Sequence, residues 1–165
     1  MTALVPMGSS TFTAFVEIAV TNYATSCIAS GRWAAIDALT LARAEFAALL
    51  PQGLATPDHH LYEIRETDSG PAIGFVWFAI FTRASLRVAF VFQLQVGPEH
   101  RRRGHARAAL AAMEPLAAQL GAASIGLNVF AGNEAAQGLY RSLGYRVTSV
   151  NMLKPIHAHD GAGKL

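Results

Sequence analysis

Residues 95–107 of this chain read QVGPEHRRRGHAR. The apolar run before them, residues 89–94, predicts a buried strand, and the alanine-rich segment after them predicts a helix. The first N–H groups of a helix have no intrahelical partner, and the helix dipole adds partial positive charge there. Gly104 and Ala106 leave room for a ligand beside that backbone, and Arg101–Arg103 add full charges. The stretch predicts a cradle for a phosphorylated cofactor. We call residues 101–104 the arginine turn.

Two other interpretations of the arginine turn are a solvated basic turn and a nucleic-acid contact. The spacing of Gly104 and Ala106 and the strand before them favour the cofactor. A nucleic-acid site would show steeply salt-dependent binding and a wider basic stripe, and the sequence has no such stripe. We therefore expect no nucleic-acid partner.

The composition fits one domain with a large core. The chain has 165 residues, of which 52% are hydrophobic, and a formal net charge of +2. The charge is uneven, because residues 1–98 carry a net −2 and residues 99–165 carry a net +4. A basic second half suits a polyanionic cofactor.

Several features of the sequence predict a cytoplasmic protein without a metal. Cys27 is the only cysteine, so no intrachain disulfide can form. A secretory leader would begin with a positively charged region, but no Lys or Arg occurs before Arg32. The longest apolar run, residues 75–81, is too short to span a membrane. The pairs His59/His60 and His157/His159 lack a carboxylate at ligand spacing.

The apolar periodicity predicts an α/β fold, with one mixed sheet, helices on both faces and the order β-α-α-β-β-β-α-β-α-β. We expect one domain over residues 1–155 and a frayed C-terminal tail over residues 156–165. The predicted strands are residues 4–7, 60–66, 72–82, 86–96, 124–130 and 145–153, and the predicted helices are residues 12–28, 34–50, 106–120 and a short one that Asn133 caps and that ends before Gly144.

Two motifs resemble the GNAT superfamily of acyl-CoA-dependent N-acetyltransferases. The first is Arg101-x-x-Gly104-x-Ala106, which is similar to the family pattern Arg/Gln-x-x-Gly-x-Gly/Ala. The second is LNVF at residues 127–130, followed by NEAA at residues 133–136 and by LYRSLGY at residues 139–145. The resemblance extends over nearly the whole chain in element order. It implies acetyl-CoA as cosubstrate and a sheet whose central strands splay apart to hold it.

The resemblance also implies roles for single residues. The backbone of Leu94, Gln95 and Val96 would pair with the pantetheine arm, and Asn133 would bind the pantetheine end. Tyr140 would lie near the sulfur as general acid. The pyrophosphate would be held by the N–H groups of residues 102–106 and by the nearby arginines, a set that comprises Arg101, Arg102, Arg103, Gly104, His105 and Ala106.

The chemistry of acetyl transfer explains the tyrosine. The departing thiolate needs a proton, and a phenol with a pKa of about 10 keeps one to give at neutral pH. An N–H near Leu94 or Gln95 would polarise the carbonyl. The alternative role for Tyr140 is core packing on the apolar stripe of its helix.

The general base departs from the family pattern. Many members carry a carboxylate on the strand before the turn, where this chain has Gln93 and Gln95. Possible replacements are a water chain to solvent, a substrate amine that arrives partly neutral, and the side chains Glu17, Glu45, His59 and His60.

We therefore predict an N-acetyltransferase that acts on a small-molecule or peptide primary amine by direct attack in a ternary complex. The alternative is a non-catalytic acyl-CoA-binding sensor or scaffold. Residues 23–57, where an acceptor would bind, show no recognition motif. The last strands are suited to a homodimer interface.

Overall fold

A computed structural model describes residues 2–156. Met1 and residues 157–165 lie outside the described residues, and with them His157, His159 and most of the predicted tail. The elements, in chain order, are β1 (Ala3–Pro6), α1 (Ser9–Ala29), α2 (Ala35–Leu49), β2 (His59–Arg65), β3 (Ala72–Arg83), β4 (Leu86–Val96), α3 (His105–Gln119), β5 (Ser124–Leu127) and α4 (Glu134–Ser142). Short 3₁₀ turns occupy Gly53–Ala55 and Pro98–His100.

One five-stranded mixed sheet in the order β1-β2-β3-β4-β5 organises these elements. The first four strands are antiparallel, and β5 runs parallel to β4. A parallel pair needs a crossover, and α3 provides it. The predicted α/β class is therefore confirmed.

The helices cover both faces of the sheet. On one face α1 and α2 pack against β3, where Phe15 and Trp77 are almost fully buried and their rings meet edge to face at 6.2 Å. On the other face α3 places Met113 against Phe78. Because β3 is covered on both sides, both faces of this strand are apolar.

Strand β4 separates from β5 halfway along its length. The two strands pair only between Val88–Val91 and Ser124–Leu127. At this point a register shift opposite Trp77 and Phe78 places an extra residue, Phe92, in β4. Within the described residues, residues 93–96 of β4 pair with β3 alone, so the other edge of this part of β4 is open. This opening is the splay that the resemblance implied.

The predicted strand at residues 145–153 does not form within the described residues. Residues 145–156 have no regular secondary structure, and all of them after Tyr145 are exposed. β-Branched and apolar residues give a segment strand propensity, but a strand needs a partner for its hydrogen bonds. Here the chain leaves α4 through Gly144, at φ +90°, without pairing to β5.

The fifth strand is shorter than predicted for a related reason. It ends at Leu127 instead of Phe130. Leu127 pairs with Val91, the last residue of β4 before the extra residue Phe92. Beyond that point β4 offers no ladder to residues 128–130.

Candidate acyl-donor site

A cavity of about 300 Å³ lies at the start of α3, where the end of β4, the arginine turn and α4 meet. From the predicted set it is lined by Val96, Arg101, Arg102, Gly104, His105 and Ala106, and four further residues, His100, Arg107, Ala135 and Leu139, complete it. Its lining does not include Leu94, Gln95, Arg103, Asn133 or Tyr140. The structure thus brings most of the arginine turn to one cavity, with α4 as the opposite wall.

The backbone at the start of α3 leaves its donors free. Gly104 is the N-cap in a left-handed conformation, at φ +84°, and no side chain caps the helix. The first helical bond runs from Ala108 N to Gly104 O at 3.0 Å. The N–H groups of the three residues between them therefore lack intrahelical partners. A Cβ on Gly104 would meet no atom within 4 Å, so the space beside this backbone is open.

The three arginines of the turn are not equivalent. Arg101 Nε donates a hydrogen bond to the Val96 carbonyl at 3.0 Å, which holds this side chain across the end of β4. Arg102 lines the cavity, and its φ is +60°. Arg103 is exposed outside the lining. Among residues 2–156 none of the three forms an ion pair, so their charges are available to a ligand.

His105 lines the cavity, and its buried ring contacts residues next to the ends of β1 and β2. Its Nδ1 is 3.0 Å from Thr2 Oγ1, and its Nε2 is 3.3 Å from Glu66 Oε1 without a well-directed hydrogen bond. The predicted role of His105 in anion binding therefore falls on its N–H group alone.

His100 and Arg107 line the cavity and were missed at the sequence level. Arg107 Nη2 donates to Ser142 Oγ at 2.6 Å and so ties α3 to α4. The available signal was its spacing, because Arg107 is three residues after Gly104 and lies on the first turn of the helix. His100 gave no signal, since its place depends on the 3₁₀ turn at Pro98–His100.

Helix α4 carries Asn133 and Tyr140 on one stripe. Asn133 is its N-cap and accepts a hydrogen bond from Ala136 N at 3.1 Å, as its sequence position predicted. Tyr140 follows seven residues later, two helical turns or about 10 Å along the axis. Leu139, the residue before it, lines the cavity. Because successive residues of a helix lie about 100° apart, the side chain of Tyr140 points about 100° away from that of Leu139.

Tyr140 is half-buried, and its environment keeps the phenol protonated. Burial raises the pKa of Tyr140 above its ordinary value. Its ring lies 5.6 Å from the ring of Tyr145. Burial, with the nearby charges, also raises the pKa of Tyr145, to about 12. Both groups are therefore acids, not phenolates, at neutral pH.

The two glutamines that replace the expected carboxylates face α1 and α2. Gln95 Oε1 accepts a hydrogen bond from Asn22 Nδ2 at 2.8 Å, which joins β4 to α1. Gln93 lies opposite Trp77 at the register shift. Neither amide takes a proton at neutral pH.

The two carboxylates among the candidate replacement bases already accept hydrogen bonds from other side chains. Glu17 pairs with Arg43 through two bonds of 2.7 Å, and these hydrogen bonds lower the pKa of Glu17. Glu45 accepts hydrogen bonds from Tyr23 and Arg32. Each carboxylate is therefore already committed to a donor.

The two histidines are no better placed. Trp77 Nε1 donates to His59 Nδ1 at 3.0 Å, and burial lowers the pKa of His59. The neutral ring then carries its proton on Nε2, which has no lone pair to offer. His60 stacks on Phe78, on the α3 side of the sheet.

No helix among residues 2–156 combines the length and the apolar character needed to cross a membrane. Within the same residues no three His, Cys, Asp or Glu side chains cluster as metal ligands would.

Comparisons with known proteins agree on one family. Residues 30–145 match the model of the acetyltransferase (GNAT) family. The chain is 31% identical over 153 residues to the uncharacterized N-acetyltransferase YycN of Bacillus subtilis, covering 93% of this chain and 97% of that one. It is 30% identical over 150 residues to the uncharacterized N-acetyltransferase YdgE of the same organism, covering 91% and 95%.

Solved structures show the same fold. The crystal structure of YycN superposes with a TM-score of 0.90 at 30% identity, covering 95% of this chain and 99% of that one. A GCN5-related N-acetyltransferase from Ralstonia eutropha gives a TM-score of 0.68 at 21% identity, covering 94% and 99%, which supports the fold alone.

Proposed function

Because the chain belongs to the GNAT family of acetyltransferases, we propose that it transfers an acetyl group from acetyl-CoA to a primary amine. One observation carries the proposal: the uncapped start of α3 and Val96, at the end of the open edge of β4, line one cavity. A long ligand with phosphates at one end and an amide-bearing arm at the other fits this arrangement.

The residues present fit acetyl-CoA in both parts. The free N–H groups at the start of α3 and the unpaired arginines would bind the pyrophosphate. The backbone of Leu94, Gln95 and Val96, which has no strand beside it on the β5 side among residues 2–156, would hydrogen-bond the pantetheine arm as an added strand does. Asn133, the N-cap of α4, would bind the end of that arm.

The chemistry needs an acid and an oxyanion donor from the protein. Acetyl-CoA, when bound, supplies a thioester whose carbonyl carbon the amine attacks, so that a C–N bond forms and the C–S bond breaks. Tyr140 gives its phenolic proton to the leaving thiolate, a role that its raised pKa supports. A backbone N–H of the open β4 edge, near Leu94 or Gln95, stabilises the charge on the carbonyl oxygen.

The amine must also lose a proton, and the protein side chains give this step little help. Glu17 is hydrogen-bonded to Arg43, and Glu45 to Tyr23 and Arg32. His59 accepts a hydrogen bond from Trp77. We therefore assign proton removal to water in the opening beside Gln93 and Gln95. An acceptor whose amine is partly neutral on arrival suits such a site.

Calorimetric titration with acetyl-CoA tests the donor site. We expect saturable binding, and no binding at millimolar acetyl-CoA would overturn the proposal. A screen of amines, polyamines, amino acids and peptides with a free-thiol readout then tests transfer. Binding without thiol release from any acceptor would favour the alternative, a non-catalytic acyl-CoA sensor or scaffold, for which the glutamines at positions 93 and 95 are the supporting observation.

A further inference from the structure

The side of β4 that faces α1 carries amide groups at the opening. Gln95 Oε1 accepts a hydrogen bond from Asn22 Nδ2 of α1 at 2.8 Å, and Gln93 lies two residues earlier on the same side. An amide does not take a proton at neutral pH. An amine that enters beside the open edge of β4 therefore meets neutral polar groups and no carboxylate of this strand.

The glutamates of the two helices that cover this side are already paired. Glu17 of α1 binds Arg43 through both of its oxygens, and these bonds lower the pKa of Glu17. Glu45 of α2 accepts from the Tyr23 hydroxyl on one oxygen and from Arg32 on the other. Each carboxylate would have to give up a partner before it could take a proton from an amine.

The sheet contributes no free base to this side of the opening. Residues 74–77 of β3, which pair with residues 93–96 of β4, and all of β5 have no titratable side chain. On β2, Glu63 is buried and hydrogen-bonded to Arg65. His59 accepts a hydrogen bond from Trp77 Nε1, and burial lowers the pKa of its ring, which is therefore neutral with its proton on Nε2.

The remaining titratable groups of the surrounding helices are an acid and two surface carboxylates. Tyr140 of α4 is the proposed acid. Asp37 and Glu134 are exposed on the first turns of α2 and α4. Of the carboxylates on α1, α2 and α4, only these two have no side-chain partner among residues 2–156.

We propose that the acceptor is the α-amine of a peptide, and not the side-chain amine of a lysine or the amine of a polyamine. This inference rests on the proposed acetyl transfer. An α-amine has a pKa of about 7.7–8.0 and a lysine side chain one of about 10.4, so at pH 7.5 about a third of the first and about one thousandth of the second is neutral. A site without a side-chain base uses only the neutral fraction.

The step balances without a protein base. The lone pair of the neutral α-amine attacks the thioester carbonyl carbon, the C–N bond forms and the C–S bond breaks. One N–H proton leaves to water beside Gln93 and Gln95, and Tyr140 protonates the thiolate. Solvent then returns a proton to Tyr140.

The groups around the opening also favour a peptide over a free amino acid. On α1, α2 and the link between them the only cations are Arg32 and Arg43, and each binds a glutamate. None is left for a carboxylate next to the amine, and such a carboxylate would also raise the pKa of the amine. A peptide bond in its place is neutral and offers a donor and an acceptor to the amides of Asn22 and Gln95.

Aromatic rings lie next to Gln93 on the same side of the sheet. The ring of Phe92 stacks on Trp77 with 4.6 Å between centroids, and it lies 5.2 Å from the ring of Phe90 and 6.0 Å from that of Phe81. Phe90 and Phe92 are half-buried, and Phe81 is 37% exposed. An apolar first side chain would cover part of this surface. A peptide that begins with phenylalanine is therefore the suitable probe.

Two forms of one peptide provide the matched pair. Both begin with phenylalanine and contain one lysine, and either the lysine side chain or the α-amine is blocked by acetylation. With saturating acetyl-CoA and a free-thiol readout at pH 7.5, kcat/KM should be roughly 30-fold or more higher for the free α-amine. The neutral fractions differ about 200-fold, and the greater nucleophilicity of the more basic amine offsets part of this difference.

The pH profile shows which group titrates. For the free α-amine, kcat/KM should rise tenfold per pH unit and level off near pH 8, whereas for the free lysine it should still rise at pH 9. A break at one pH for both peptides would assign the titration to an enzyme side chain and overturn the inference.

The same assays separate this inference from the proposed function. Thiol release from the lysine peptide, a polyamine, an aromatic amine or free phenylalanine at the rate of the α-amine peptide overturns the inference and leaves acetyl transfer standing. No thiol release from any amine overturns the proposed function itself.

A gained base should change the preference. Gln95→Glu keeps an oxygen for Asn22 and adds a carboxylate at the open edge, so it should raise kcat/KM for the lysine peptide roughly tenfold at pH 7.5. Gln119→Glu, the same change at the exposed last residue of α3, is the matched control and should keep the wild-type preference.

Two removals complete the test. Asp37→Asn and Glu134→Gln should leave both pH profiles unchanged, and a lost rise in either variant would identify that carboxylate as a base and overturn the inference. An unchanged preference in Gln95→Glu, with the Kd for acetyl-CoA retained as proof of folding, overturns the part given to Gln95.

Discussion

Arg107 Nη2 donates to Ser142 Oγ at 2.6 Å and holds α3 against α4. This bond joins the helix whose start faces the cavity to the helix that carries Tyr140. The bond therefore helps to fix the distance between the proposed anion-binding backbone and the proposed acid.

Removal of that bond should separate binding from turnover. We expect Ser142→Ala to lower kcat several-fold while the Kd for acetyl-CoA stays unchanged, because the loss of one hydrogen bond costs about 1 kcal/mol and here loosens α4. Arg107→Ala also removes a charge from the cavity, so it should raise the Kd and lower kcat. Calorimetry and steady-state kinetics measure both, and an unchanged kcat in Ser142→Ala would mean that the bond does not position Tyr140.

Neighbouring arginines should differ in their effect on cofactor affinity. Arg102 lines the cavity and Arg103 does not. A hydrogen bond between charged groups contributes about 1.5–3 kcal/mol, so Arg102→Ala should weaken acetyl-CoA binding roughly 10- to 100-fold. Arg103→Ala, the matched control, should change the Kd by less than about threefold. Equal losses would mean that the turn binds through its net charge and not through its geometry.

Gly104 should be needed for its conformation. Its φ of +84° and that of Gly31, +73°, both disfavour a side chain, and at both positions a Cβ meets no atom within 4 Å. We expect Gly104→Ala and Gly31→Ala each to lower the free energy of unfolding by about 1–2 kcal/mol. Only Gly104→Ala should weaken acetyl-CoA binding, by roughly 10-fold, because it alone redirects the N–H groups of α3. Chemical denaturation and calorimetry on the pair decide this, and equal Kd values would refute the backbone cradle.

Tyr140 should act through its hydroxyl. Tyr140→Phe should lower kcat roughly 100-fold with little change in Kd, the scale of a positioned general acid. Tyr145→Phe is the control that keeps Tyr140 intact and should lose far less activity.

The pH profile gives an independent readout of the same group. The pKa of Tyr140 is raised, so its acid form persists up to and beyond pH 10, and activity should fall only above the ordinary tyrosine value of about 10. A wild-type decline that begins near pH 8 would point to another group as the acid, as would full activity in Tyr140→Phe.

Much of this architecture follows from local sequence. The arginine turn, Gly104 as a left-handed helix start and Asn133 as a cap are short-range features, and each lies where its neighbours in sequence place it. The local sequence pattern could not predict contacts between residues that are distant in the chain. Arg107 matters because Ser142 lies opposite it, and His59 is disqualified as a base because Trp77 occupies its Nδ1.

The predicted last strand shows the same limit from the other side. Val147 and Val150 have the right propensity, but propensity does not provide a neighbouring strand. Strand pairing requires two segments, and within the described residues no strand pairs with residues 145–153.

The uncapped start of α3 would couple folding to ligand supply if the proposed donor binds there. A helix that begins on Gly104 with no side-chain cap leaves its first N–H donors without an intrahelical partner. If the ligand binds there, a free ligand concentration of one hundred times its Kd raises the free energy of unfolding by about 2.7 kcal/mol. The lifetime of this protein in the cell should then follow the supply of acyl donor, with starved cells holding a less stable pool than fed ones.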